Sequence, residues 1–207
     1  MTTDKQVIDR LTQRFAGSSA ASDADGRLHG RLAALAERQG LLDVSYRTVD
    51  SPLGPLLLAA TEKGLVRVAF SGEDHESVLS RLAVDLSPRI LRTPRRLDEA
   101  ARQLEEYFAR KRRAFTVSVD LQLARGFRRA VLLHLRDIPY GATQSYAAVA
   151  RAAGNASAVR AAASACSHNP LPLVVPCHRV VRSDGSFGEY LGGPRAKRAL
   201  LAMEAER

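Results

Sequence analysis

Near residue 120 the apolar residues change their spacing, and that change limits what the chain can fold into more than any single residue does. Upstream, the run "DVSYRTVDSPLGPLLLAATEKGLVRVAF" alternates apolar and polar positions and is broken by "DSPLG" and "TEKG", which predicts a three-stranded antiparallel meander. Apolar residues three and four apart predict helices over "HESVLSRLAVDL" and "RLDEAARQLEEYFARKRR", the second presenting Leu97, Ala101, Leu104 and Phe108 on one face. "AFTVSVDLQL" then reads as a short strand. Strands and helices over one core make an α+β domain, here residues 43–120. Downstream the pattern turns to short helices. "GFRRAVLLHLRDI" places Phe127, Val131, Leu132 and Leu135 at helical spacing, with Gly141 as the C-cap signal. "QSYAAVARAAGNASAVRAAASACSHN" holds two Ala-rich helices separated by "AGN", the punctuation of a helix-turn-helix. Residues 121–207 are thus expected to form a second domain. The first 42 residues read as a helical extension, with Val7, Ile8, Leu11 and Phe15 in one amphipathic segment and Leu28, Leu32 and Leu35 in another.

A chain of 207 residues has room for two such domains. Its composition, 45% hydrophobic and 26% charged with no apolar run that could cross a bilayer, excludes a membrane protein. The start "MTTDKQVIDR" lacks the apolar stretch of a secretory signal, and two cysteines are too few for a disulfide framework. A cytoplasmic location with both thiols free is therefore expected. The formal charge of +9 is unevenly spread: 12 Lys and Arg face 5 Asp and Glu from Leu121 onward, against 19 and 17 before it. A positive excess in one half suggests a polyanion such as nucleic acid, although a solvated surface explains charge alone equally well.

The second Ala-rich helix, beginning near Ser157, has a slim surface. Around Arg160 it offers Ala158, Ala161, Ala162, Ala163 and Ser164. Alanine is the best helix former, which accounts for most such helices. A slim helix with one long cation also suits the DNA minor groove, which is about 6 Å wide.

Cys177 follows the apolar run "LPLVV", expected to be a short buried strand, and is followed by His178. Within a continuing strand the two side chains would point to opposite faces. Pro176 argues for a turn or helix entry instead, in which the thiol can lie near the imidazole. A free thiol titrates near ~8.5 and needs a proton acceptor or positive field to become a nucleophile at neutral pH. By itself the pair is weak evidence for chemistry and reads more readily as a space-filling thiol. Cys166, Cys177, His168 and His178 lack the paired spacing of a zinc site, so no metal is expected. A cysteine hydrolase would draw its histidine from His29, His75 or His134, none of which has supporting context.

Asn169, the run Pro176-Cys177-His178-Arg179-Val180, Tyr190, Gly192-Gly193 and Glu204 together resemble the active-site signature of the O6-alkylguanine-DNA alkyltransferases, also called methylated-DNA-protein-cysteine methyltransferases. The resemblance is strong from about Phe127 to Glu204, weaker over the meander and absent from the first 42 residues. It implies a C-terminal winged helix-turn-helix domain carrying the active site, and irreversible, stoichiometric repair without a cofactor. Cys177 would take the alkyl group from O6-alkylguanine in double-stranded DNA. His178 and Glu204, with a bridging water, would draw off the thiol proton, and Asn169 would brace the turn before the active-site strand. Glu204, on "PRAKRALLAMEAER" beside Leu200 and Leu201, would be costly to bury without such a partner.

The same resemblance assigns the DNA contacts. Arg160 would enter the base stack from the minor groove as the damaged nucleotide flips out, with Ala161 and Ser164 on the same helix against DNA. Tyr146 would help to drive the rotation and offer its hydroxyl to the guanine. Tyr190, Leu191, Gly192, Gly193 and Pro172 would line the base pocket. Glu189 and Leu191 depart from the small or amide residues expected there, which puts the substrate range in doubt. Cooperative self-association on DNA is left open. The alternative of a different class is a damage sensor or DNA-binding regulator in which Cys177 is inert.

Overall fold

The computed structural model of the chain describes Leu28 and residues 30–206. Of the two expected N-terminal segments, the one carrying Val7, Ile8, Leu11 and Phe15 lies outside the described residues. Residues 1–42 and 43–207 are separate compact units. In the first, residues 30–38 are helical (α1), and Leu41 N–H closes onto Ala36 O at 2.8 Å. The expected apolar face of Leu28, Leu32 and Leu35 is exposed at 65, 55 and 47%, and Ala33 and Ala36 are buried instead. Ala33 and Ala36 thus mark the buried side of this helix.

The meander forms as expected. Strands β1 (Val44–Val49), β2 (Leu56–Thr61) and β3 (Gly64–Phe70) pair antiparallel, with a bulge at Ala59/Ala60 in the β2–β3 ladder. A three-residue strand, β4 (Ile90–Arg92), adds parallel to β1, so the sheet is mixed, in the order β3-β2-β1-β4. Helix α2 (His75–Asp85) precedes β4 and α3 (Asp98–Phe108) follows it.

Two local expectations fail here. The stretch 114–123 keeps its in-out alternation but forms only one bridge, Leu65 to Val119. It meets β3 only around that bridge, where Leu65 N–H donates to Ser118 O at 2.9 Å and Asp120 N–H to Leu65 O at 2.8 Å, and further upstream a side chain takes over, Gln103 Oε1 accepting from Thr116 N–H at 2.8 Å. The inward face of α3 is Leu97, Ala100, Gln103, Leu104 and Tyr107, not the expected Leu97, Ala101, Leu104 and Phe108. The helix is rotated so that a tyrosine is fully buried where periodicity placed a phenylalanine.

Helix α4 (Gly126–Leu135) buries Val131, Leu132 and Leu135. It ends at Leu135, well before Gly141, so that glycine is not its C-cap. The helix-turn-helix consists of α5 (Tyr146–Ala152), capped by Ser145 Oγ accepting from Ala148 N–H at 3.1 Å, and α6 (Val159–Ser167). Gly154, at φ 94, turns the chain between them. Strand β5 (Gln144–Ser145) pairs parallel with β6 (Val180–Val181), and a turn closed by Arg182 N–H on Ser186 O at 2.9 Å forms the wing. The last helix is α7 (Gly193–Ala205). One hydrophobic core runs from Leu56 on the sheet to Leu200 on α7 and includes Cys177. No helix among the described residues is long and apolar enough to cross a membrane.

Candidate active site

The approach to Cys177 is a buried turn, not the expected strand. Val175 N–H reaches back to Leu171 O at 2.8 Å, and Leu173 has a φ of 74. The side chain of Asn169 dictates this path. Its Oδ1 accepts from Leu171 N–H at 3.0 Å, and its Nδ2 donates to Val175 O at 2.8 Å and to Cys177 Sγ at 3.1 Å. A carbonyl and an amide that a strand would give to a neighbouring strand are taken by one asparagine. Edge strand β3 also holds the turn, through Val68 N–H to Pro170 O at 2.8 Å.

After Pro176 the chain enters a 3-10 turn, Cys177–Arg179, in which thiol, imidazole and guanidinium are all buried. The thiol accepts from Asn169 rather than bonding His178 directly. His178 Nε2 instead lies 2.9 Å from Glu204 Oε1. A carboxylate only accepts, so Nε2 carries the ring proton and Nδ1 presents its lone pair. Nδ1 is buried and has no hydrogen-bond partner among the described residues.

Glu204 has more partners than the sequence suggested. Oε1 also accepts from the Tyr107 hydroxyl at 2.6 Å and from Arg179 Nη2 at 2.9 Å, while Oε2 accepts from Arg179 Nε at 2.9 Å and Gly141 N–H at 3.2 Å. Arg179 Nη1 donates to Ile138 O at 2.6 Å. A Cβ on Gly141 would meet Glu204 O at 2.8 Å, so that position needs glycine for close approach to α7, not for a helix cap. The inward face of α7 is Ala196, Lys197, Leu200 and Glu204, and Leu201 is only partly buried.

Burial raises the Cys177 thiol to about 11, against the lowering effect of the Asn169 hydrogen bond and the Lys197 charge. At neutral pH Cys177 is therefore a neutral thiol. Burial also holds His178 below its ordinary value, outweighing its hydrogen bond and attraction to Glu204. Burial would raise Glu204, but hydrogen bonds from His178 and Arg179 and the donation from Tyr107 keep it well below the usual carboxylate range. Lys197 is fully buried, donates to Val180 O at 2.6 Å and lies 6.0 Å from the Tyr146 ring centroid. Burial lowers its pKa, and the two thiols act the other way.

Of the expected site residues, Asn169, Cys177, His178 and Glu204 converge. Tyr190 is buried against them, its ring 6.1 Å from that of His178 and 5.6 Å from that of Phe70. Pro172 is buried in the turn, and Gly192 and Gly193 lie half-buried at the start of α7. A Cβ on Gly192 would press on the Phe70 ring at 2.9 Å. Leu191 is half-buried, packs against the core cluster that includes Cys177 and Tyr190, and also lines a cleft of about 520 Å³ shared with Arg67, Arg128 and His168. Tyr146, half-buried at the start of α5, has its hydroxyl against Gly188, where no side chain fits. Burial first, then the nearby thiols, push it up to about 12, so it is a hydrogen-bond donor at neutral pH. Arg160, Ala161 and Ser164 share an exposed face of α6, apart from the buried cluster, whereas Ala162 faces the core. Cys166 is the second buried free thiol. No group of three or more His, Cys, Asp or Glu among the described residues could hold a metal.

Three members of the site escaped the sequence reading. Arg179 stood within the quoted signature without a role, and Lys197 looked like an ordinary cation on an amphipathic helix. Tyr107 lay far away in the first half, at a position that periodicity left off the inward face.

Residues 44–121 match the family described as 6-O-methylguanine DNA methyltransferase, ribonuclease-like domain, and residues 126–206 match its DNA binding domain. The chain is 37% identical over 164 residues to the methylated-DNA–protein-cysteine methyltransferase of Mycobacterium tuberculosis, covering 79% of this chain and 94% of that protein. Identity to the constitutive methylated-DNA–protein-cysteine methyltransferase of Bacillus subtilis is 36% over 160 residues, covering 75% and 92%. The crystal structure of the Mycobacterium tuberculosis O6-methylguanine methyltransferase superposes with a TM-score of 0.70 at 37% identity, covering 79% of this chain and 94% of that one. The Mycobacterium tuberculosis protein solved in complex with DNA gives a TM-score of 0.66 at 36% identity, covering 78% and 92%.

Proposed function

The chain belongs to the 6-O-methylguanine DNA methyltransferase family, and from that premise we propose how its own residues carry out the reaction. It binds DNA and repairs it by transferring an alkyl group to a protein cysteine. Cys177 is that cysteine. Its Sγ attacks the alkyl carbon of O6-alkylguanine in line with the C–O bond, a C–S bond forms, and guanine departs with the electron pair. The thiol proton passes through a water to His178 Nδ1, the one ring nitrogen left as an acceptor, while Glu204 holds Nε2–H and offsets the imidazolium charge. Asn169 Nδ2 and the Lys197 charge stabilise the developing thiolate. Tyr146, a donor at neutral pH, supports the charge on the departing guanine. A thioether has no route back to thiol, so each molecule acts once.

The exposed face of α6 meets the minor groove, and Arg160 replaces the flipped nucleotide in the stack. Tyr190, Gly192, Gly193 and Pro172 form the base pocket, with Leu191 at its edge. Residues 43–120 and 121–207 are the two domains, behind the extension 1–42, and the reaction takes place in a reducing cytoplasm. Self-association along DNA belongs to the same reading, and its measure is the steepness of binding to long duplexes.

The convergence of the Asn169 amide on Cys177 Sγ beside the His178–Glu204 pair carries this reading. The sensor alternative would leave that arrangement without a task. Cys177→Ser tests it: the variant should bind a lesion duplex as the parent does and transfer nothing. Transfer that persists, at Cys166 or elsewhere, would overturn the assignment.

A further inference from the structure

We propose that Tyr107 is a positioning residue for alkyl transfer, through which the first half of the 43–207 unit orients the His178–Glu204 pair. The inference rests on Cys177 being the alkyl acceptor. Tyr107 lies on α3, with sheet strands before it and the DNA-binding half after it, yet its hydroxyl donates to Glu204 Oε1 at 2.6 Å, across 97 residues of sequence. The same hydroxyl is 3.5 Å from His178 Nε2, and its proton goes to the nearer carboxylate. Packing alone does not require that oxygen. The fully buried ring sits among Phe108, Phe115 and Tyr140, with centroids at 5.4, 5.2 and 6.2 Å, and a phenylalanine would fill the same space without a polar atom to satisfy. The rotation of α3 that brings Tyr107 inward leaves Phe108 partly exposed, the reverse of what apolar burial favours.

The hydroxyl has two effects. It fixes Oε1 where His178 Nε2–H can reach it, which holds the proton on Nε2 and leaves Nδ1 as the acceptor. It also shares the carboxylate charge. Without it, Oε1 becomes a stronger acceptor and holds the His178 proton more tightly, so that solvent protonates His178 at a higher pH. The other groups facing the pair are Arg179 and Cys177 on the same turn, Tyr140, Tyr190, and Lys197 on α7. All are unchanged when only Tyr107 is replaced.

The test is Tyr107→Phe in the full chain, with single-turnover transfer from an O6-methylguanine duplex followed from about pH 5 to 9. The rate near neutrality should fall about tenfold, a part of what acid–base assistance supplies. The acid limb should move to higher pH, while affinity for undamaged duplex stays the same. A rate and pH profile equal to the parent's would overturn the proposal. Phe115→Leu serves as the second variant, since it loosens the ring's packing but keeps the hydroxyl. It should lower the melting temperature and leave the acid limb in place, and an equal shift of that limb would assign the effect to packing and overturn the role of the hydroxyl. The Cys177 adduct is measured in the same samples. Its presence with unchanged kinetics removes Tyr107 alone, whereas its absence in the parent removes the Cys177 assignment and Tyr107 with it.

Discussion

Arg179 grips both oxygens of Glu204, through Nε and Nη2 at 2.9 Å each, and the carboxylate is wholly closed to solvent. Breaking a buried, doubly bonded pair leaves a charge with no solvent to compensate it. Arg179→Leu should therefore cost about 3–5 kcal/mol in urea unfolding. Arg179→Lys should recover only part of this, because an ammonium cannot span Oε1, Oε2 and Ile138 O together. A loss below about 1 kcal/mol for the leucine variant would mean that the pair contributes little.

Asn169→Asp keeps an acceptor for Leu171 N–H but places a carboxylate where an amide now donates to Cys177 Sγ. The thiol, already raised by burial, should rise further, and its reaction with iodoacetamide at neutral pH should slow by about tenfold or more, tenfold being one pKa unit. An unchanged rate would show that the amide does not govern the thiol.

Acid should weaken the fold in two steps with the same sign. His178 is held below its ordinary value by burial, so the unfolded chain takes up that proton first and stability falls as pH drops below about 6.5. Burial acts against ionised Glu204, but its hydrogen bonds from His178, Arg179 and Tyr107 win and depress its pKa. Its contribution is therefore complete above about 4.3 and is lost as pH falls further. Urea midpoints measured from neutrality downward should decline across both ranges, and His178→Gln should remove the first decline. A midpoint that rises between pH 7 and 5 would contradict the buried neutral imidazole.

What the sequence revealed, and what it hid, follows from the range of the interactions involved. The meander and the helix-turn-helix are local, written in alternation, turn residues and the "AGN" break, and they appear where expected. Asn169, Cys177, His178 and Glu204 were legible only through the resemblance of their motif to a family signature, since the adjacent thiol and imidazole taken alone also fit a space-filling cysteine. The turn before Cys177 was misread as a strand because apolar content marks burial, whereas the Asn169 side chain decides the backbone path. The face of α3 was misread for a related reason. Periodicity ranks Phe108 above Tyr107 as a core residue, and only a carboxylate 97 residues away reverses the order. Arg179 and Lys197 were hidden because a buried cation leaves no mark in hydropathy until its acceptor is placed beside it.

Arg160 projects from the exposed face of α6, away from the buried chemistry. Arg160→Ala should slow repair of a duplex lesion by at least about tenfold, about 1.4 kcal/mol of barrier, and leave reaction with free O6-benzylguanine nearly unchanged, since only the duplex requires the base to leave the stack. Equal losses on both substrates would remove its role in flipping.

If Cys177 accepts the alkyl group once and keeps it, peptide mass spectrometry after incubation with a duplex holding a single O6-methylguanine should find one added methyl, on the peptide containing Cys177, reached at one equivalent of lesion and never exceeded. An unmodified Cys177 in protein that binds the duplex tightly, or a methyl on Cys166, would contradict it.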